Sequence, residues 1–306
     1  MRALLVVNPN ATATPVRVRD VLAHALASET SLDVVETKAR GHATEIAAAA
    51  ASDGYDVVVS LGGDGTVNEV VNGLLKDGPA PDGPMLAVVP GGSTNVFARA
   101  LGIAESPVEA TSDLLTALAA ERTRLIALAT ADGRWFTFCA GLGLDAEVVR
   151  RVEHKRADGR RASWKLFVQE GIAQFFTGAD RRDLPLWLER PGHPPVRLGL
   201  ALVCNTDPWT YLGDRPVRPC PEASFEQHLD VFGMTRLGTV TTLRHLRQIL
   251  SAHPRPRGRR LLRLHDVTEF TLSATRPLPL QVDGDDLGDR TTVAFRSVPA
   301  ALRVLV

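Results

Sequence analysis

The stretch SLGGDGTVNEVV, residues 60–71, joins a strand-like run to a helix-like segment through three glycines and one aspartate. Glycines permit tight turns and let a ligand approach the backbone, and N–H groups at a strand-to-helix turn bind anions. Asp64 would repel a phosphate unless a cation such as Mg²⁺ or a hydrogen-bond donor lies between them. The stretch therefore predicts a nucleotide-phosphate turn, and it differs from the P-loop pattern GxxxxGK[ST].

A second turn of the same kind follows at the end of the next strand-like run. VVPGGSTNVFAR, residues 88–99, carries paired glycines, two hydroxyl side chains and Asn95 ahead of another helical pattern. Ser93 or Thr94 stands where a helix N-cap is expected. Two neighbouring strand ends with paired glycines indicate a phosphate-binding crevice rather than ordinary turns.

Strand and helix patterns alternate through the first 126 residues. Short apolar runs at 3–7, 32–36, 56–61 and 85–90 are typical of parallel strands buried on both faces, and helical patterns cover 17–28, 42–54, 67–75, 94–102 and 108–121. This order predicts an α/β fold with a doubly wound parallel sheet. Ligands of such sheets bind beyond the carboxyl ends of the strands, where both glycine turns fall.

The pattern changes after about residue 123, where alternating apolar runs are separated by Gly, Pro and Asp turns. These runs predict an antiparallel, sandwich-like β-rich domain, interrupted by helical stretches at 163–176 and 239–251. We therefore predict a nucleotide-binding domain over 1–126, completed by 300–306, and a second, β-rich domain over 127–299. The active site is expected in the cleft between them.

Composition narrows the function classes. The 306 residues carry a formal net charge of zero, so no broad basic field predicts a nucleic-acid partner. Three widely spaced cysteines and the lack of long apolar runs indicate a soluble protein of a reducing, cytoplasmic compartment.

Basic stretches at 150–165 and 253–263 are either solvated loops or a patch that faces anionic lipid at the inner face of the membrane. The aromatic residues Trp164, Phe167, Phe175 and Phe176 fit either a core or an acyl-chain groove.

Several further motifs occur in order along the chain: NPNATAT at 8–14, Thr37 ahead of GHATEIA, GLGLDAEVV at 141–149, PEASFEQHLDVF at 221–232 and QVDGDDL at 281–287. Together with LGGDGTVNEVVNGL and PGGSTNVFARALG, the set resembles the diacylglycerol kinase catalytic domain family of bacterial lipid kinases and sphingosine kinases. GGDGT alone is less specific, because NAD kinases and phosphofructokinases carry relatives of it.

The resemblance implies ATP-dependent phosphorylation of a lipid hydroxyl, with Mg²⁺ carried by the nucleotide. It also implies that the β-rich domain over 127–299 is the lipid-substrate domain. It implies that Asp283 or Asp285 accepts the hydroxyl proton and that Asp64 takes part in catalysis. The residues that it implies for nucleotide binding are Asn8, Thr37, Gly62, Gly63, Asp64, Gly65, Thr66, Asn68, Glu69, Gly91, Gly92, Ser93, Thr94 and Asn95.

Two departures from the family pattern stand out. Asp285 replaces the usual Glu after Asp-Gly, and Glu226-Gln227-His228 replaces Asp-Asp-Gly where the bacterial enzymes hold a structural Mg²⁺, so we do not expect that metal site. Two alternatives stay open: a kinase of NAD or another small molecule, and a non-catalytic nucleotide- or lipid-binding protein. Transient contact with a membrane surface and a homodimer are both compatible with the interpretation.

Overall fold

The computed structural model describes residues 1–11, 16–157 and 184–306, and these residues form two compact units. Unit 1 comprises Met1–Leu128 and Val298–Val306, and unit 2 comprises Ala129–Ser297. The predicted helix over 163–176, with its four aromatic residues, lies outside the described residues. The predicted roles of 1–126 with 300–306 and of 127–299 in binding nucleotide and lipid stay predictions.

Unit 1 contains a parallel sheet with helices between its strands. Its elements in chain order are β1 (Arg2–Val7), α1 (Val16–Ala27), β2 (Ser31–Glu36), α2 (His42–Ser52), β3 (Val57–Gly62), α3 (Asp64–Leu74), β4 (Met85–Pro90), α4 (Val96–Ala100) and α5 (Pro107–Ala119). The strand order is β4-β3-β1-β2, with every pair parallel. The end of β16 (Asp285–Leu305) lies parallel to β4, where Val304 is the partner of Leu86.

The core of unit 1 is apolar on both faces of the sheet. On one face, Leu5, Val59 and Ala87 pack with buried residues of α1 and α5, among them Leu26 and Leu114. Because successive strand residues point to opposite faces, their buried neighbours Leu4, Val58 and Leu86 line the other face. Near-continuous apolar strands of this kind are what a doubly wound sheet requires.

Helices α2 and α3 cross closely because residue 73 lacks a side chain. A Cβ placed on Gly73 would lie 2.4 Å from the carbonyl oxygen of Thr44 and 2.7 Å from Cβ of Ala47. At α4, Gly102 (φ +80°) ends the helix in a Schellman motif, with Ile103 N donating to Ala98 O and Gly102 N donating to Arg99 O. The predicted C-terminal glycine of this helix is thus confirmed.

Unit 2 is mostly antiparallel sheet. Its elements are the end of β5 (Thr123–Ala131), β6 (Arg134–Phe136), β7 (Cys139–Leu142), α6 (Leu144–Ala157), β8 (Leu186–Glu189), β9 (Val196–Leu198), β10 (Leu200–Cys204), β11 (Thr210–Leu212), β12 (Arg215–Val217), β13 (Leu229–Met234), α7 (Thr239–Ile249), β14 (Leu261–Val267), β15 (Glu269–Val282) and the first part of β16. The strand order β14-β13-β10-β7-β15-β16 is antiparallel throughout, and β15 also pairs with β8.

The predicted fold class, an α/β domain followed by a β-rich domain, is confirmed. The predicted helix over 239–251 is α7, and the strand predicted over 134–141 is divided into β6 and β7. The ribbon β11–β12 was not predicted, because its strands are only three residues long and carry no buried alternation. Within the three described ranges, no helix combines the length and hydrophobicity that a bilayer crossing requires.

The close α2–α3 crossing generates a stability prediction. Gly73→Ala should lower the free energy of unfolding by about 1–3 kcal/mol, because the added methyl group displaces the backbone of α2. Chemical denaturation followed by circular dichroism measures the change.

Gly238→Ala is the matched control, since a Cβ there meets only Thr241 Oγ1 at an ordinary 3.7 Å. Equal stability of the Gly73→Ala variant and the native protein would contradict the close packing described here.

Candidate active site

The two glycine turns lie side by side at the carboxyl ends of β3 and β4. Gly91 N donates to Gly62 O at 2.8 Å, which joins the two turns through the backbone. A Cβ on Gly92 would lie only 2.7 Å from Cα of Gly63, and one on Gly62 would overlap the side chain of Thr66 at 2.6–3.0 Å. Gly92 is therefore required by the packing of one turn on the other, and Gly62 is required by the Thr66 side chain of its own turn, before any ligand is considered.

Asp64 links the start of α3 to the start of α4. Its Oδ2 accepts a hydrogen bond from Val96 N at 3.0 Å, and its Oδ1 accepts one from Phe97 N at 3.1 Å. A carboxylate at a helix N-terminus satisfies N–H groups that the helix leaves without intrahelical partners, and its charge is favourable there. The sequence analysis predicts a cation or a hydrogen-bond donor beside Asp64, and the backbone N–H groups of α4 are such donors.

The predicted N-cap at Ser93 or Thr94 is wrong. Asn95 precedes α4 in the left-handed conformation (φ 48°), and its side chain both accepts from Gly92 N and donates to Gly92 O at 2.9 Å. Because Asn95 closes the turn and Asp64 caps the helix, Ser93 is left exposed and Thr94 half-buried. Both hydroxyl side chains lie in the turn rather than on the helix.

Helix α3 begins without a side-chain cap among the described residues. Gly63 holds the N-cap position, and the first intrahelical bond runs from Val67 N to Gly63 O at 3.1 Å. The N–H groups of the first turn of such a helix point away from its body and form an anion site together with the helix dipole. Gly65 and Thr66 lie in the first turn of this eleven-residue helix, at the edge of the sheet.

Asn8 and Thr37 follow β1 and β2 at the same edge. Asn8 N donates to Leu61 O at 3.0 Å, and Asn8 Nδ2 donates to Thr66 Oγ1 at 3.0 Å. Thr37 N donates to Val7 O at 2.8 Å, which fixes its position beyond the sheet. Carboxyl ends of parallel strands meet at one edge, so the structure brings Asn8 and Thr37 to the edge that carries both glycine turns.

Glu69 and Asn68 have partners inside unit 1. The Glu69 carboxylate accepts hydrogen bonds from Gly41 N at 2.8 Å and Ala43 N at 3.2 Å, so it caps α2 from the side. Asn68 is 1% exposed, and its carbonyl and side-chain oxygens accept from Asn72 Nδ2. Both side chains are thus held by contacts within unit 1. Their predicted role in nucleotide binding stays a prediction.

In unit 2, Asp283 and Gly284 form the two-residue turn between Val282 and Asp285. Both turn residues have positive φ, 50° and 85°, as expected for an Asp-Gly hairpin. The Asp283 carboxylate is 6% exposed and accepts four hydrogen bonds of 2.7–3.1 Å, from Thr137 N, Thr137 Oγ1, Phe138 N and Cys139 N. Asp285, the next acidic residue, is half-buried.

A buried pair that sequence reasoning missed supports this hairpin. Gln281 Nε2 donates to Asp145 Oδ2 at 3.1 Å, and Gln281 Oε1 accepts from Gly284 N at 3.0 Å. Asp145 is the aspartate of GLGLDA, and Gly141 must lack a side chain because its Cβ would lie 1.9 Å from Asp145 Oδ2. Burial raises the pKa of Asp145 to about 6, although the bond from Gln281 opposes the shift.

A group of three possible metal ligands lies elsewhere in unit 2. One ligand atom each from Glu222, Asp230 and His265 lies within 4.8 Å of the others. Asp230, which is 1% exposed, accepts from His265 Nδ1 at 2.9 Å, and Arg263 pairs with Glu222. Because two basic side chains already face these carboxylates, the group carries no metal assignment, and Gln227 is not part of it.

Comparison with known proteins matches residues 2–130 to the family model of the diacylglycerol kinase catalytic domain. The resemblance drawn from the motifs is confirmed. Two curated relatives, both named diacylglycerol kinase, are 40% identical over 120 residues (Bacillus subtilis strain 168) and 48% identical over 67 residues (Staphylococcus aureus strain JH9). These matches span 39% and 22% of this chain, and only 37% and 20% of the relatives' own lengths.

Solved structures resemble the chain over nearly its whole length, beyond residues 2–130. A diacylglycerol kinase from Bacillus anthracis str. Sterne has a TM-score of 0.72 at 20% identity, and the match covers 99% of this chain and 96% of that one. An NAD kinase from Archaeoglobus fulgidus in complex with ATP has a TM-score of 0.52 at 11% identity, and the match covers 100% of this chain and 94% of that one. At these identities the likeness concerns the fold alone.

The Asp64 contacts with the start of α4 predict a cost in stability. Asp64→Asn should lower the free energy of unfolding by about 1–3 kcal/mol, because one amide NH₂ would face an N–H of α4 in place of an acceptor. Denaturation measured by intrinsic fluorescence tests this, with the exposed Asp77→Asn as control. An Asp64→Asn variant as stable as Asp77→Asn would contradict the capping role.

The raised pKa of Asp145 predicts a pH dependence of stability. The folded protein holds this proton more tightly than the unfolded chain, so the contribution of Asp145 is present below pH 3.8 and is lost as the pH rises through about 6. Asp145→Asn, which keeps the acceptor for Gln281, should therefore stabilise the protein by about 1–3 kcal/mol at pH 8 and by little at pH near 4.

Thermal unfolding between these pH values measures the difference. A variant that is less stable than the native protein at pH 8 would show that the charged carboxylate is favourable in the fold.

Proposed function

We propose that the protein is an ATP-dependent lipid kinase that transfers the γ-phosphate of ATP to the hydroxyl group of a diacylglycerol or a sphingoid-like lipid. The observation that supports this proposal is the pair of glycine turns at adjacent strand ends, fixed to each other by Asp64. A turn pair of this rigidity, in a diacylglycerol kinase catalytic domain, suits the positioning of a triphosphate.

The phosphate chain would lie against the start of α3. Gly63, Gly65 and Thr66 provide backbone N–H groups there, and the exposed Ser93 and half-buried Thr94 provide hydroxyl groups from the neighbouring turn. Asp64 acts in this proposal by holding the two turns together, because both of its oxygens already accept N–H groups. When bound, ATP supplies the phosphoryl group, and its Mg²⁺ neutralises the phosphate charge.

The acceptor hydroxyl needs a carboxylate to take its proton, and the hairpin at 283–285 supplies two. The four donors to Asp283 favour its ionised form and fix its orientation. Asp285 is less buried than Asp283, so replacing Asp285 should destabilise the fold less than replacing Asp283. Comparing activity with stability in the two variants therefore distinguishes a structural role from a catalytic one.

Two amide variants test the assignment of the base. Asp283→Asn should lose activity and also stability, because an amide cannot accept all four hydrogen bonds. If Asp285 is the base, Asp285→Asn should lower kcat by about 10²–10⁴-fold with a smaller loss of melting temperature than Asp283→Asn. If Asp283 is the base, Asp285→Asn should retain most of the native kcat. Native activity in both variants would contradict a catalytic role for this hairpin.

Acceptor choice tests the proposed reaction itself. The full chain is incubated with γ-labelled ATP and Mg²⁺, and with detergent-dispersed diacylglycerol, a sphingoid base or NAD in separate reactions. We expect label only in a lipid product. Phosphorylation of NAD would instead identify a small-molecule kinase, and ATP binding by calorimetry without turnover on any acceptor would identify a non-catalytic protein. The proposal places the enzyme in the cytoplasm.

A further inference from the structure

Helix α7 presents an apolar face to solvent. Val240 is 82% exposed, Leu243 is 56% exposed and Leu246 is 43% exposed, so three large apolar residues of one eleven-residue helix remain outside the core. The opposite side is fixed to unit 2, where His245 and Ile249 are buried and the His245 ring meets Phe232 edge-on with 6.2 Å between centroids. The exposed face is therefore held in place by a well-packed inner face.

Arginines surround this apolar face. Arg244 and Arg247 are exposed on α7, and the sequence from Val231 to His265 contains eight arginines and no Asp or Glu. In a chain whose charges sum to zero, this is a concentrated basic surface. The segment that follows α7 carries four of these arginines, all exposed: Arg255, Arg257, Arg259 and Arg260.

Residues 253–260, which carry the four exposed arginines, are hydrogen-bonded to α7. Gln248 of α7 accepts from Arg257 N through Oε1 and donates to Arg257 O through Nε2, both at 3.2 Å. A Cβ on Gly258 would lie 3.1 Å from Cε1 of His245, so the segment also packs on the buried histidine. The apolar face and the arginines thus belong to one fixed surface.

We propose that α7 and residues 253–260 form the surface by which the protein lies on an anionic lipid bilayer. Leu and Val on a helix face enter the interfacial region, while arginines beside them bind lipid phosphates. Val240 and Leu243 are the reason to prefer a bilayer over a nucleic acid, whose backbone offers no apolar layer for them. The many like charges around the helix disfavour a second copy of the same face.

This inference deepens the proposed function, since a lipid acceptor resides in a membrane, yet vesicle binding can be measured without ATP or turnover. The full chain is floated with vesicles of phosphatidylcholine alone or of phosphatidylcholine mixed with phosphatidylglycerol. We expect binding to the mixed vesicles that weakens as salt is added. Failure of the kinase assay alone would overturn the proposed function and leave this surface intact.

Variants of α7 identify the surface. Leu243→Ser combined with Leu246→Ser should lower the partition coefficient by about tenfold or more, and Arg244→Gln combined with Arg247→Gln should lower it chiefly at low salt. Val21→Ser combined with Arg17→Gln is the matched control on the exposed side of α1, where Val21 is 62% exposed. Circular dichroism confirms that each variant is folded.

Three results would overturn the proposal: native binding by the α7 variants, equal loss in the α1 control, or no binding of the native chain to anionic vesicles. A dimer in sedimentation analysis that Leu243→Ser dissociates would assign the face to a second copy. Tight binding of an oligonucleotide that Arg244→Gln abolishes, with no vesicle binding, would assign it to nucleic acid.

Discussion

The Asp64 carboxylate determines how unit 1 is built at the edge that carries the two glycine turns. It belongs to the first turn of α3, yet it caps α4, which follows the next strand of the sheet. Gly63 and Gly92 permit this bond, because a Cβ on Gly92 would lie 2.7 Å from Cα of Gly63 and a Cβ on Gly63 would lie 3.2 Å from Cα of Gly92. One acidic residue thereby converts two separate strand-to-helix turns into a single rigid loop pair, and the proposed phosphate site inherits its shape from that constraint.

A second buried carboxylate has a similar role in unit 2. Asp145 reaches Gln281 across 136 positions of sequence, and Gln281 in turn holds the Asp283-Gly284 turn. Arg150 of the same helix pairs with Asp286 at 2.8 Å, so α6 is attached to the hairpin at both sides of the turn. The acidic residues proposed for proton transfer are therefore displayed by a hairpin whose position is set from within the protein.

The features of the fold that depend on neighbouring residues could be predicted from the sequence. Strand-like runs such as Val57–Leu61, the turns after them and the C-terminal Gly102 all follow from neighbouring residues, as does the alternation that defines the fold class. Features that depend on a distant partner could not be predicted in this way. The cap of α4 comes from Asp64, 32 positions before Val96, so the predicted N-cap at Ser93 or Thr94 is wrong. The helical pattern of α7 was equally visible, but periodicity alone does not say which apolar residues a core covers.

The order of segments along the chain has a consequence for biosynthesis. Strand β4 is bordered on one side by β3 and on the other by residues near Val304, and Ala80 N donates to Ala301 O. Ala301 and Val304 follow unit 2 in the chain, so the ribosome synthesises them only after about 170 residues of unit 2. Until then the nascent parallel sheet keeps an unpaired edge beside the glycine turns, so the sheet of unit 1 can be completed only late in synthesis.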